Sequence, residues 1–390
     1  MTNLLVVTTL FPNRVQFRHG LFVETRLHRL TEGGDFKAVV IAPVPWFPIT
    51  SKRFPKYSQY AEVPAMEERR GIVVHHPRYL VIPKIGMLIS PLFLALSIVL
   101  AARGVKKSGY DYDLVDAHYY YPDGVAVAMV SRFLGKPFAV TARGSDINLL
   151  GQLALPRRLI RWAADKAAAT VTVSEALRDR LLAMGVDGGK VHVFRNGVDL
   201  QHFVPMQRGE CKRELGVGSC TLLSVGNLIE LKGHDLVIRA MPFLPQCDLL
   251  VVGDGKMQAA LKALAVSLGV EHRVRFLAAV PQSELVKIYN AADVLVLASS
   301  REGMPNVVLE AMACGTPVVA TAVGGVPEIV RGPNAGVLVE SRDVEGIVGA
   351  IRQLLAGYPP AGATRRYAES FSWDTTVSGL RGLFNTIRPE

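Results

Sequence analysis

Short runs of valine, leucine, isoleucine and alanine recur along the chain and alternate with stretches of helical spacing, several of them closed by glycine, asparagine or a charged residue. Such runs are continuous rather than alternating, as expected of parallel strands covered by helices on both faces. The spacing predicts strands over 4–8, 38–42, 72–76, 114–118, 138–142 and 170–174. A second series falls over 221–225, 249–253, 274–277, 294–298 and 317–321. Strands alternating with helices define the α/β class, and two series predict two doubly wound sheets in tandem. The turn-prone Asn196-Gly197-Val198-Asp199, followed by Pro205 and the charged stretch 207–213, marks the join.

One segment departs from this pattern. Residues 85–102 are almost uninterruptedly apolar, bracketed by Lys84 on one side and by Arg103, Lys106 and Lys107 on the other. The length just reaches that of a membrane span. Gly86, Ser90 and Pro91 interrupt its first third, and one isolated span would place parts of one α/β domain on opposite sides of a bilayer. The segment therefore reads as a buried or membrane-facing helix.

The 390 residues suit two domains of about 150 to 200 residues each. Cys211, Cys220, Cys247 and Cys314 form no CxxC pair and have no histidine at metal-ligand spacing, so neither zinc nor a disulfide framework is expected. A reducing cytoplasm is the compartment this implies. Residues 3–7 read as a first strand rather than as a signal peptide. The net charge of +10 is unevenly spread: residues 1–200 hold 26 Lys and Arg against 16 Asp and Glu, whereas residues 201–390 hold 18 of each. The excess suits an anionic surface and equally suits plain solubility. No groove-reading helix or interleaved aromatic motif accompanies it, so nucleic acid is not an expected partner.

The strongest chemical signal follows the strand over 294–298. It runs Ser299-Ser300-Arg301-Glu302-Gly303-Met304-Pro305-Asn306, then Val307-Val308-Leu309-Glu310-Ala311-Met312-Ala313-Cys314-Gly315-Thr316-Pro317. Pro305 as a first-turn residue, Gly315 just past the end and Pro317 as a stop predict a short helix directly after a strand's carboxyl end. The amides of Asn306 and Val307 would point out of its N-terminus toward a phosphate oxygen. Glu302 before the helix and Glu310 within it supply carboxylates for vicinal hydroxyls, one for a sugar and one for a ribose. Lys232, after a strand and turn, is either a point charge for phosphate or ordinary surface.

These residues resemble the donor site of the family 4 glycosyltransferases, with Glu302-x7-Glu310, the stretch 310–321 and Gly324-Gly325-Val326-Pro327-Glu328 carrying the resemblance. It extends over nearly the whole chain. Val225-Gly226-Asn227-Leu228 with Lys232-Gly233 resembles the loop that clamps the donor diphosphate, and Val252-Gly253-Asp254-Gly255 its glycine turn. Asn290-Ala291-Ala292-Asp293 resembles the approach to the donor strand, and 195–199 the interdomain hinge. Asn227 stands where the family usually has arginine or lysine. Arg143-Gly144-Ser145-Asp146 stands where His-Gly-x-Asp is common, and an arginine there suits a phosphate or another anionic group. Phe11-Pro12, His19 to Glu24, Asp116-Ala117-His118 and Tyr121-Pro122-Asp123-Gly124 are similar to an exopolysaccharide or teichuronic-acid-type subgroup.

The resemblance implies a GT-B fold, two Rossmann-like domains facing across a cleft. Residues 1–198 would bind acceptor, 199–372 the nucleotide sugar, and a helix over 373–390 would return to the first domain. It implies a retaining, metal-independent hexosyl transfer from a UDP- or GDP-sugar to a lipid-linked or saccharide acceptor, with no cofactor. Glu302, Lys232, His118 and Arg143 become the catalytic candidates. Gly20, Gly226, Asn227, Lys232, Gly253, Gly303, Met304, Pro305, Asn306, Val307 and Glu310 become the donor-binding ones. Gly20 precedes a helix over 21–30, and His118 ends a strand from which it could orient hydroxyls. Asp111-Tyr112-Asp113 is formally Asp-x-Asp but precedes a strand, and no GxGxxG opens a helix after the first strand, which disfavours metal and nicotinamide. A sugar-nucleotide epimerase and a non-catalytic sugar-nucleotide-binding protein are the alternatives. The basic first half and its apolar segment predict a cytoplasmic protein held peripherally on the inner face of an anionic membrane.

Overall fold

The computed structural model describes residues 1–46, 59–82 and 86–388; Lys84 and Ile85 lie outside them. The chain divides into two compact units. One comprises Met1–Arg195 and Asp374–Glu390, and the other Asn196–Trp373. Both are Rossmann-like α/β units.

The first unit contains β1 (Thr2–Val7), β2 (Phe36–Ile41), β3 (Val44–Trp46), β4 (Met66–Arg69), β5 (Ile72–His75), β6 (Arg78–Leu80), β7 (Leu114–His118), β8 (Phe138–Ala142), β9 (Ala169–Thr172) and β10 (Val191–Val193). Its main sheet has the order β10-β9-β8-β7-β1-β2-β5-β4. It is parallel except at its edge, where the charged β4 runs antiparallel to β5. From β1 the chain moves outward to β2, and from β7 it moves the other way to β8, so the direction of winding reverses between β1 and β7. Crevices at the carboxyl ends of such strands are where open α/β sheets bind ligands. Leu4, Leu5 and Val6 on β1 are wholly buried, as a central parallel strand requires.

The second unit contains β11 (Cys220–Val225), β12 (Cys247–Val252), β13 (Val274–Leu277), β14 (Val294–Leu297), β15 (Val318–Thr321) and β16 (Gly336–Val339). The order β13-β12-β11-β14-β15-β16 is parallel throughout, with its switch point between β11 and β14. The strands absent from the apolar-run reading are β3, β4, β6, β10 and β16. Each is an edge strand, part of a separate pair or only three or four residues long, so little of its surface has to be apolar.

Two expectations change and one holds. Cys220 and Cys247 are partners across β11 and β12, with Cα atoms 4.6 Å apart, and form a disulfide. Parallel register rather than local spacing brings them together. The apolar segment forms the expected helix, Gly86–Lys107, with Pro91 inside it. The unit boundary falls before Asn196 and after Trp373, not after Val198 and Ser372. Gly197 packs so closely on Trp373 that an added Cβ would lie 2.5 Å from its backbone nitrogen, and the Val198 amide donates to the Phe371 carbonyl at 2.9 Å.

Candidate active site

In the second unit the predicted donor residues gather at the carboxyl ends of β11, β12 and β14. After β11 the chain turns through Gly226, at φ 150°, and after β12 through Gly253, at φ 149°. A Cβ on Gly253 would lie 1.9 Å from the Gly226 carbonyl oxygen, so both turns need glycine for close approach as well as conformation. Asn227 follows on the same loop, where Leu228 donates its amide to the Asp254 carbonyl at 2.9 Å. Lys232 precedes Gly233, whose own Cβ would strike the Ala298 carbonyl at the end of β14. The Ser300 amide donates to the Leu231 carbonyl at 2.8 Å, joining this turn to the loop after β14.

That junction brings Lys232 to Glu302, seventy positions away in sequence. The Lys232 Nζ donates to Glu302 Oε1 at 2.6 Å, and both side chains are largely buried. Gly324, at φ 55°, supports the loop from behind, since a Cβ there would lie 1.9 Å from the Glu302 carbonyl oxygen. The Gly325 amide donates to the Gly303 carbonyl at 3.1 Å. Met304 is buried beneath the loop. The helix begins at Asn306 and ends at Ala313, with Pro305 as its N-cap rather than its first-turn residue. Val308 donates to the Pro305 carbonyl at 3.2 Å, so the Asn306 and Val307 amides precede the first bonded turn and point out of the helix end. The Asn306 side-chain oxygen accepts from Asn196 at 3.0 Å. An ammonium, a carboxylate and a helix N-terminus thus stand at the carboxyl ends of β11 and β14, an arrangement suited to an anion carrying hydroxyl groups.

Glu310 is more enclosed than its sequence position suggests. Its Oε2 accepts from the Tyr289 hydroxyl at 2.7 Å. Burial pushes its carboxyl up to about 7, against the hydrogen bonds from Tyr289 and Gln282.

Gly20, His118 and Arg143 belong to the first unit. Gly20 caps the helix Leu21–Thr31 at φ 72°, with the Leu10 carbonyl oxygen 2.2 Å from where a Cβ would stand. His118 ends β7 and is buried, with both ring nitrogens engaged: Nε2 lies 3.0 Å from Asp116 Oδ2, and Nδ1 meets Arg143 Nη2. Arginine can only donate, so Nδ1 accepts and the ring proton sits on Nε2 toward Asp116. Burial, opposed by Asp116 and reinforced by Arg143 and Arg26, holds His118 down to about 3, hence neutral. This corrects the expectation that His118 reaches substrate hydroxyls; its ring orients Arg143 instead.

The sequence reading did not assign four residues that build this cluster. Buried Arg26 donates to Asp116 at 3.3 Å and to the Thr141 hydroxyl at 2.9 Å. Burial works against the Asp116 charge, yet His118 and Arg26 outweigh it and hold the carboxyl below its ordinary range. Asp146 accepts the amides of Tyr120 at 2.7 Å, Gly144 at 2.7 Å and Arg143 at 3.1 Å, fixing the backbone that carries Arg143. Asp123, pushed up to about 8 chiefly by burial, bonds the amide of Thr9 at 2.6 Å. Helical spacing in 21–30 already places Arg26 within an apolar helix, and that was the available signal. The Arg143 guanidinium lies 5.2 Å from the Phe22 ring centroid. Asp113 accepts the Asn3 amide at 2.8 Å, a structural role.

Comparison with known proteins bears on both units. The family described as Glycosyltransferase Family 4 matches residues 37–202, and Glycosyl transferases group 1 matches 212–371. The D-inositol 3-phosphate glycosyltransferase of Acidothermus cellulolyticus is 33% identical over 320 residues, covering 75% of this chain and 71% of that protein. That of Geodermatophilus obscurus is 32% identical over 355 residues, covering 84% and 78%. In fold, the chain is similar to sucrose-phosphate synthase from Thermosynechococcus elongatus, with a TM-score of 0.81 at 19% identity over 99% of each chain. It is likewise similar to Anabaena HepE in complex with UDP-glucose, with a TM-score of 0.75 at 20% identity over 99% and 100%. The chain belongs to the GT-B glycosyltransferases, with a family 4 N-terminal part and a group 1 C-terminal part.

Proposed function

We propose that the protein moves a hexose from a UDP- or GDP-sugar to a hydroxyl of a lipid-linked or oligosaccharide acceptor, with retention and without a metal. Cytoplasmic synthesis of cell-surface polysaccharide, of the exopolysaccharide or teichuronic-acid type, is the setting in this reading. The observation that carries it is the Lys232–Glu302 pair beside the helix that starts at Asn306. On this reading Lys232 and the Asn306 and Val307 amides receive the departing diphosphate, Glu302 positions the sugar and Glu310 the ribose. Stabilising negative charge that grows as the donor bond breaks is what preorganised donors do well. No side-chain nucleophile is required, because the leaving diphosphate itself accepts the acceptor proton. The solved neighbour's UDP-glucose complex supports a nucleotide-sugar donor.

A second reading of the acceptor, a small phosphorylated polyol, is favoured by Arg143 as held by His118 and by the similarity to D-inositol 3-phosphate glycosyltransferases. UDP- and GDP-sugars screened by thermal stabilisation identify the donor, and turnover with saccharide, lipid-linked and phosphorylated acceptors then separates the readings. Glu302→Gln is expected to lose turnover far more than donor affinity. Donor binding without transfer to any acceptor would favour a non-catalytic sugar-nucleotide binder, and epimerised free donor an epimerase.

A further inference from the structure

Helix Gly86–Lys107 is apolar on two opposite faces, and only one of them serves the core. Leu94, Ile98, Ala102 and Val105 are buried, and the helix packs on its neighbour Val125–Leu134. On the other side Leu88, Leu92, Leu96 and Leu100 recur every four residues and are 44%, 60%, 60% and 58% exposed. Side chains at this spacing lie along one line of a helix, here roughly 18 Å long. Phe133, 72% exposed, extends the apolar surface from the neighbouring helix, whose end is tied to this one by Lys106 Nζ donating to the Leu134 carbonyl at 3.2 Å. Isolated exposed leucines need no explanation, but an aligned row with a phenylalanine beside it marks an interface.

Charge identifies the occupant. Neither Gly86–Lys107 nor Val125–Leu134 contains an acidic residue, and the exposed charges at their carboxyl ends are Arg103, Lys106, Lys107 and Arg132. The next helix, Ala154–Lys166, packs on Val125–Leu134 and adds exposed Arg157, Arg158, Arg161 and Lys166 against a single exposed acid, Asp165. A second copy of the chain on the row would set this strongly basic surface against itself and leave most of its cations uncompensated. An anionic bilayer compensates them and solvates the leucines.

We propose that this leucine row is a lipid-docking face, lying flat in the headgroup region of an anionic membrane with the flanking arginines and lysines on the lipid phosphates. By length and composition Leu88–Lys107 is apolar enough to cross a bilayer. Spanning it would strip Leu94, Ile98, Ala102 and Val105 from the core, whereas lying in the interface uses only the outer face. The face would hold the acceptor-side unit where lipid-linked substrates are found, but the lipid contact is independent of the donor chemistry.

Flotation of the whole protein with phosphatidylcholine vesicles, and with vesicles also containing phosphatidylglycerol, tests this at low and high salt. The expected result is binding to the anionic vesicles, weakened about tenfold or more by high salt or by neutral lipid. Leu92→Gln with Leu96→Gln should weaken binding about tenfold or more, with an unchanged melting curve and unchanged nucleotide-sugar binding. Arg103→Glu with Lys107→Glu should abolish the preference for anionic lipid. Equal flotation of wild type and the leucine variant, or none by wild type on anionic vesicles, would overturn the proposal. So would a concentration-dependent dimer that the leucine variant dissolves, which would give the row to a second copy. Nucleotide-sugar binding and transfer are read separately, so a wrong donor or acceptor leaves this result standing.

Discussion

Glu310 and His118 are the two side chains whose titration departs most usefully from ordinary values. The Glu310 carboxyl is raised from 4.5 to about 7, chiefly by burial. Its contribution to stability is therefore complete below 4.5 and is lost as pH rises through about 7, where the buried group must ionise. Under the proposed ribose contact, binding runs the other way, since two hydroxyl donors favour the carboxylate. Donor affinity of the wild type is expected to rise as pH increases through about 7, while Glu310→Gln binds about 1 to 3 kcal/mol more weakly at higher pH and shows no such step. Calorimetry across that range checks both, and identical curves for the two proteins would remove Glu310 from the donor site. His118, held to about 3, binds no proton in the fold where the unfolded chain does. Its contribution is present above 6.5 and is lost as pH falls toward 3. Ring NMR signals should report the neutral Nε2–H tautomer throughout the neutral range; a charge transition near 6.5 would break the Asp116–His118–Arg143 series.

Elements bring these residues to their places through turns that only glycine can make. Gly324 stands behind the Glu302 loop at φ 55°, with 1.9 Å between an added Cβ and the Glu302 carbonyl oxygen. Gly324→Ala must displace that loop and also carries a left-handed backbone cost of roughly 1 to 2 kcal/mol. Turnover should fall by about tenfold or more while nucleotide binding through Glu310 falls less. Unchanged kinetics would mean that the loop position does not matter. The helix after β14 was readable from Pro305, Gly315 and Pro317, apart from a one-residue shift that makes Pro305 the cap. The central strands were readable because complete burial forces a continuous apolar run. The edge strands were not, because β4 carries Glu67, Glu68 and Arg69 on a half-solvated edge.

At the scale of the whole molecule, His118 ends β7 in the first unit and Lys232 and Glu302 follow β11 and β14 in the second, at the carboxyl ends of strands where each winding reverses. If Lys232 and the helix end receive the donor diphosphate as proposed, transfer should persist in excess chelator. Activity that disappears in chelator and returns with magnesium or manganese would contradict this. Saturating nucleotide should stabilise the fold by about 2.7 kcal/mol at a hundred times its Kd, read as a rise in melting temperature.

The sequence by itself determined the α/β class, the two strand series, the helix following β14 and the residue types that could meet a sugar nucleotide. Those features are local: burial imposes a period, and turns impose glycine or proline. Tertiary structure alone decided which distant groups meet. Lys232 reaches Glu302 because two loops leave neighbouring strands, Cys220 meets Cys247 through parallel register, and Arg26 with Asp146 builds the setting of His118 and Arg143. It also decided which side of the apolar helix Gly86–Lys107 faces the core. A helix apolar all round carries no marking of the face its neighbours will cover, because hydrophobicity records a side chain's preference for burial and not the partner that provides it.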